Sequence, residues 1–243
     1  VANSKKNLWR GLQSAAVRAL STRDYGASSL AERVATTGVG AGQIASAHRD
    51  ELVAVWIPGV EIFARTIHPQ RHRGLFGEFI RQNEGVLANL KFWPRQWAAA
   101  RLFANTAKGF HVHPPFIPRG KDPAKFLRRQ FAESRRQSPD FDAEQWDVMF
   151  IVQGRVEMIL RDVRAGLPGR TMRFFIDGDN YRGANNVGVI IPPGVAHALR
   201  TEGGEDVIMV YGTSITFRPE FEGRIGSEVE TAQLPDSWQE FLK

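Results

Sequence analysis

Two stretches decide how this chain is read: Lys108-Gly109-Phe110-His111-Val112-His113, followed at once by Pro114-Pro115, and far downstream Pro192-Pro193-Gly194-Val195-Ala196-His197. In the first, two of the six histidines stand two residues apart in an apolar, extended-looking run. On a strand, positions i and i+2 share a face, with Cα atoms roughly 6.5–7 Å apart. Two imidazoles so placed can grip one metal ion, or one can act as a base while the other binds. They can equally line a pocket without chemistry. In the second stretch, Val189-Ile190-Ile191 reads as a strand, Pro193-Gly194 as a tight turn, and His197 as a residue returning on the next strand.

Outward from these stretches the chain reads as short β-rich runs between Gly, Pro and Asn turns. They are Val53–Ile57, Val60–Ile67, Leu75–Ile80, Trp97–Phe103 and Phe110–His113, then Val148–Val152, Val156–Leu160, Thr171–Ile176, Val187–Ile191, His197–Arg200 and Val207–Thr213. Strands do not alternate with helices as a parallel α/β sheet requires, so the expectation is an all-β sandwich or barrel. Residues 117–146 interrupt the pattern with a basic helical insertion. Asp122 is its N-cap, Pro123 its first helical residue, and Phe126, Leu127 and Phe131 its apolar stripe. Between Arg119 and Arg136 seven Lys or Arg face only Asp122 and Glu133, which suits a solvated surface helix or a lid beside the site. Residues 1–50 differ again, with Leu8, Trp9, Leu12, Ala15, Ala16, Ala19 and Leu20 at helical spacing and a capping box at Ser29 and Glu32. They read as an N-terminal helical extension on a domain spanning 51–243.

Composition narrows the chemistry. The 243 residues suffice for a proper core, and the absence of cysteine excludes disulfides, thiol nucleophiles and thiolate metal sites. No apolar run approaches the roughly 20 residues of a membrane span, and no signal-peptide apolar core stands at the start. A cytoplasmic location is expected. The net charge of +6 suits a small anionic substrate better than nucleic acid, since no nucleic-acid-binding motif accompanies it.

The His-x-His and Pro-x-Gly-x-x-His blocks together resemble the two motifs of the cupin superfamily, whose sites lie inside small jelly-roll barrels (double-stranded β-helices). Metal-binding cupins add a carboxylate ahead of a Gly-containing hairpin, where Asp147 precedes Gly154. His111, His113, Asp147 and His197 would then hold Mn, Fe, Ni, Co or Zn. A narrower resemblance, over about residues 57–225, is to the dTDP-4-dehydrorhamnose 3,5-epimerase family. It rests on Ile57-Pro58-Gly59-Val60, Arg73-Gly74-Leu75-Phe76-Gly77-Glu78, Lys108-Gly109-Phe110-His111, Leu160-Arg161-Asp162-Val163-Arg164, Ile191 to His197, and Val210-Tyr211 with Arg218 to Ile225, in order.

That resemblance implies an isomerase acting on a nucleotide sugar, with His111 as base and Tyr211 as acid on the opposite face. Tyr211 suits the role if the pocket lowers its pKa from roughly 10. Lys108 would steady the enolate between the two steps. Arg73, Glu78, Gln96 and His197 would bind substrate, and the chain would form a homodimer. The chain departs from the family at Trp97-Ala98-Ala99, where it has an Asn- and His-bearing segment, at the C-terminal Asp that orients its base, and at His113 and Asp147, where it has Gln and Lys; the last two are the residues a metal site needs. Two further readings therefore stand beside the epimerase: a metal-dependent cupin of another class, such as a dioxygenase or isomerase, and a ligand-binding cupin without catalysis.

Overall fold

The computed structural model describes residues 56–65, 67–131, 140–181 and 185–224. Twelve strands occur among them: β1 (Glu61–Ala64), β2 (Ile67–Pro69), β3 (Leu75–Gly77), β4 (Gln96–Leu102), β5 (Ala107–Val112), β6 (Asp147–Gln153), β7 (Arg155–Asp162), β8 (Thr171–Asp177), β9 (Val187–Ile191), β10 (Val195–Glu202), β11 (Val207–Thr213) and β12 (Gly223–Arg224). Two α-helices, α1 (Gly85–Leu90) and α2 (Pro123–Gln130), lie between strands. One sheet has the order β1-β9-β6-β11-β4, the other β12-β5-β10-β7-β8, and β2 with β3 forms a separate hairpin. All pairings are antiparallel, and the arrangement is the jelly-roll barrel expected from the sequence.

The period-two rule explains the interior. Along β6, Met149 and Ile151 join the cluster between the sheets, while Val148 and Phe150 join a second cluster outside. The same split separates Val189 and Ile191 from Ile190 on β9, and Val195 and Leu199 from Ala196 on β10. A sheet with one wet face would leave the outward residues exposed. Here Leu87 of α1, Leu127 of α2, Phe131 and Trp146 cover them, so all five residues of β9 are buried. Each such side chain contributes about 1.5–3 kcal/mol by leaving water.

The insertion starts as its sequence dictates. Asp122 Oδ1 accepts from the Lys125 amide at 2.7 Å, capping α2 with Pro123 in its first turn. Its buried residues Leu127 and Gln130 face the outer cluster, and its basic residues Lys125, Arg128 and Arg129 face solvent. Strands β9 and β11 match the expected spans. Leu75–Ile80 is shorter than expected, a three-residue strand closing a hairpin, and α1 was not anticipated. Trp56 and Ile57 lie outside any strand, and residues 53–55 fall outside the described residues. The expected helical extension, residues 1–50, also lies outside them, as do residues 132–139 of the insertion. Among the described residues, no helix is long and apolar enough to cross a membrane.

Candidate functional site

A fault in strand pairing sets the site. On β10, His197 pairs with His111 and Leu199 with Lys108, so two steps on β10 match three on β5. This bulge turns Lys108 and His111 to the same face despite their odd spacing, and His113 follows two residues later. Gly109 makes it possible. Its φ is +123°, and a Cβ there would meet the His197 carbonyl oxygen at 2.6 Å.

Lys108, His111 and His197 come from one sheet, His113 from the residue just past the end of β5, and Asp147 and Tyr211 from the other sheet. Together with Gln145, Glu222, Phe217, Met149, Leu199 and Met209 they line a cavity of about 180 Å³. Ligand pockets usually exceed roughly 300 Å³. This one has room for the reacting end of a ligand, not for a whole nucleotide sugar.

On one side of the cavity three metal-ligating side chains converge. His113 Nε2 lies 3.1 Å from Asp147 Oδ2, and His197 Nε2 lies 3.7 Å from the same oxygen. A ligand atom from each of the three falls within 4.8 Å of the others, and all three residues are buried. Backbone carbonyls fix both rings. His113 Nδ1 donates to the Phe221 oxygen at 2.8 Å, and His197 Nδ1 faces the Val195 oxygen at 3.4 Å. A carbonyl can only accept, so each neutral ring carries its proton on Nδ1 and turns an Nε2 lone pair towards Asp147. Gln145 Nε2 completes the cluster, 3.0 Å from Asp147 Oδ1 and 3.1 Å from His113 Nε2.

The charges follow from this packing. Burial drives His113 towards neutrality, but the Asp147 carboxylate, helped by Glu222 and the Phe221 carbonyl, outweighs it and raises the pKa to about 9. Burial lowers His197 to about 4, and the neighbouring His113 and His111 push the same way. Asp147 is itself buried, which alone would raise it. The two histidines and the Gln145 amide hold it below the usual carboxylate range.

The other side of the cavity is arranged differently. His111 Nδ1 lies 3.7 Å from Glu222 Oε2, and its buried Nε2 has no hydrogen-bond partner among the described residues. The ring stacks on His197 at 6.0 Å, but His111 is not among the three residues whose ligand atoms converge. Glu222 also approaches His113 Nδ1 at 3.9 Å, and its contact with His111 and the nearby His113 lowers its pKa against the effect of burial. Tyr211 does not show the expected lowering. Burial and the carboxylates of Asp147 and Glu222 raise its pKa, so the phenol keeps its proton at neutral pH.

Of the remaining expected site residues, Arg73 sits on an exposed 3-10 turn beside the β2–β3 hairpin, and Glu78 pairs at the surface with Arg81. Neither lines the cavity. Gln96 acts at one remove, its Oε1 accepting from the Phe217 amide at 2.7 Å and so holding a wall residue. Trp146 is buried, whereas Trp93 and Trp97 are about two-fifths exposed. Sequence reading missed Gln145 and Glu222. Period-two spacing from Asp147 places Gln145 on the same face. Glu222 arrives through β12, which pairs Gly223 with Val112 and Arg224 with His111, and no local pattern announces that pairing.

No family model matches the chain. It is 24% identical over 166 residues to the spore coat polysaccharide biosynthesis protein SpsL of Bacillus subtilis, covering 68% of this chain and 84% of that protein. Among solved structures it is similar to a dTDP sugar isomerase from Desulfovibrio desulfuricans, with a TM-score of 0.52, 14% identity, and 71% and 87% of the two chains covered. A 3'-monoepimerase from Streptomyces bikiniensis, determined as a double mutant with dTDP, gives 0.51 and 18%, covering 75% and 78%. A dTDP-4-dehydrorhamnose 3,5-epimerase from Sulfolobus tokodaii gives 0.50 and 19%, covering 72% and 82%. The likeness is one of fold.

Proposed function

We propose that the protein is a nucleotide-sugar epimerase or isomerase that removes and returns a proton on a carbon next to a ketone. One observation carries this reading. His111 lines the cavity with its Nδ1 turned to the Glu222 carboxylate and its buried Nε2 without a partner among the described residues, while Tyr211 enters from the facing sheet. The Nδ1 proton held towards Glu222 leaves Nε2 as the base. Abstraction makes an imidazolium beside a carboxylate and an enolate across the cavity. Lys108 is the cavity's free cation for that oxygen among the described residues. Tyr211, which keeps its proton, delivers it from the opposite sheet. Arg73 and Glu78 take no part in the proton transfers. The fold likeness to dTDP-sugar isomerases and epimerases supports the same substrate class. Incubation with dTDP-4-keto-6-deoxyglucose in deuterated water should introduce deuterium at C3 or C5. Folded protein that exchanges neither, with this or related keto-sugars, would overturn the proposal.

The second part of the proposal concerns the cluster beside His111, which we read as a divalent-metal site formed by His113, Asp147 and His197. The two rings donate their other nitrogen to backbone carbonyls, as metal-bound histidines do, and both lone pairs point at one carboxylate. Lone pairs 3.1 Å apart in a buried site need a cation between them, either a proton or a metal. The two-imidazole, one-carboxylate set suits Mn, Fe, Co, Ni or Zn. Once bound, such an ion supplies a Lewis acid for the substrate's carbonyl oxygen. Elemental analysis and metal titration of the purified protein should give close to one ion per chain, and no uptake would rule the site out. We also propose a homodimer, which sedimentation velocity would test.

A further inference from the structure

We infer that Gln145 is a fourth ligand of that metal site, binding through its side-chain oxygen once the amide turns over. The inference rests on the metal reading above and goes beyond it.

Gln145 is buried in the cavity wall, two residues before Asp147 on the same face. Its amide nitrogen has two close neighbours, Asp147 Oδ1 at 3.0 Å and His113 Nε2 at 3.1 Å. Asp147 Oδ1 accepts while the amide keeps this orientation; once the amide has turned, its oxygen faces that carboxylate oxygen, a contact made favourable by a cation shared between them. His113 Nε2 accepts only while it carries neither a proton nor a metal, because its Nδ1 is committed to the Phe221 carbonyl. The second amide hydrogen therefore loses its acceptor whenever a cation stands on His113 Nε2. With a divalent ion held on His113 Nε2, 3.1 Å from the amide nitrogen, that hydrogen would point towards a positive charge.

A half-turn about the terminal torsion exchanges the amide's NH₂ for its oxygen with little change in shape. Amide nitrogen and oxygen are nearly interchangeable in size, and the hydrogen-bond network decides their order. Amide oxygens are established ligands of divalent ions. The donor set becomes two imidazole nitrogens, one carboxylate oxygen and one amide oxygen. His111 is left outside it, so base and metal can work in one cavity without competing for a residue.

Co²⁺ titration of the metal-free protein, followed by calorimetry and by the d–d absorption of the bound ion, tests this. Gln145→Leu removes both the oxygen and the donor, and should weaken Co²⁺ binding at least tenfold with a changed spectrum. Gln145→Glu keeps a ligand oxygen but has no N–H, and should bind Co²⁺ as tightly as the parent or more tightly. If Gln145 serves only as a hydrogen-bond donor to Asp147, the Glu variant instead weakens as the Leu variant does, and the inference is overturned. It is also overturned if the Leu variant keeps the parent's affinity and spectrum, an outcome that leaves the three-ligand site standing. A parent protein that takes up no Co²⁺ overturns both. Thermal unfolding of the metal-free variants checks folding, and Gln145→Met, closer in shape, replaces the Leu variant should it not fold.

Discussion

His111 and His113 stand two residues apart and are held differently. His113 is pinned at both ring nitrogens, by Phe221 and by Asp147, whereas His111 has one loose carboxylate contact and a free Nε2. His111→Asn should therefore cut deuterium exchange by about 10²–10⁴-fold, the usual worth of a general base, while the unfolding midpoint barely moves. His113 and His197 instead shape stability against pH in chelator-treated protein. His113 is raised to about 9, so its contribution is complete below the unfolded value of about 6.5 and is lost as pH rises through 9. His197 is lowered to about 4, so a penalty grows as pH falls from about 6.5 towards 4, where the unfolded chain takes up a proton first. Stability should peak near pH 6.5, with limbs of at most about 1.4 kcal/mol per pH unit for each proton. Denaturant midpoints from pH 4 to 9.5 check this. His113→Gln should flatten the alkaline limb and His197→Gln the acid one.

At the scale of elements, the bulge in β5 and the helix α2 carry opposite lessons. Gly109→Ala would force a side chain against the His197 carbonyl at a φ that only glycine adopts easily. The expected cost is about 1–3 kcal/mol or more, read from urea unfolding, and exchange activity should fall with it because Lys108 and His111 lose their common face. The helix α2 is remote from the chemistry. No residue of it lines the cavity, and its buried side belongs to the outer cluster. Replacing Lys125, Arg128 and Arg129 together by Gln should leave KM unchanged, and a several-fold rise would restore the lid reading. The capped start of α2 was legible because Asp122 and Pro123 are local signals. Its docking was not, since the cluster that Leu127 joins draws Val112, Phe150 and Ile190 from strands far apart in the chain. Glu222 escaped for the same reason. His111, His113, Asp147 and His197 were legible because alternation along single strands places them, although the bulge that adds Lys108 to their face was not foreseen.

For the molecule as a whole, the metal-ligating group is also a tie between layers. Asp147 begins a strand of one sheet, His197 belongs to a strand of the other, and His113 follows directly on the end of β5 in that second sheet. The ion proposed for this group would fasten the two sheets across the barrel, and its binding energy would become folding energy. Added Co²⁺ at about 100 times its dissociation constant should stabilise the protein by about 2.7 kcal/mol. Calorimetric scans would show this as a concentration-dependent rise in Tm that Asp147→Ala abolishes.

The carbonyls of Phe221 and Val195, which hold the two rings, have a consequence for how such a site changes over generations. Both acceptors are main-chain atoms, so no substitution at either position deletes them while the backbone keeps its path. Side chains at 195 and 221 can drift freely and the imidazole tautomers persist. The orientation of the cluster is inherited with the barrel's shape, and a comparison of residue letters alone would find nothing there to conserve.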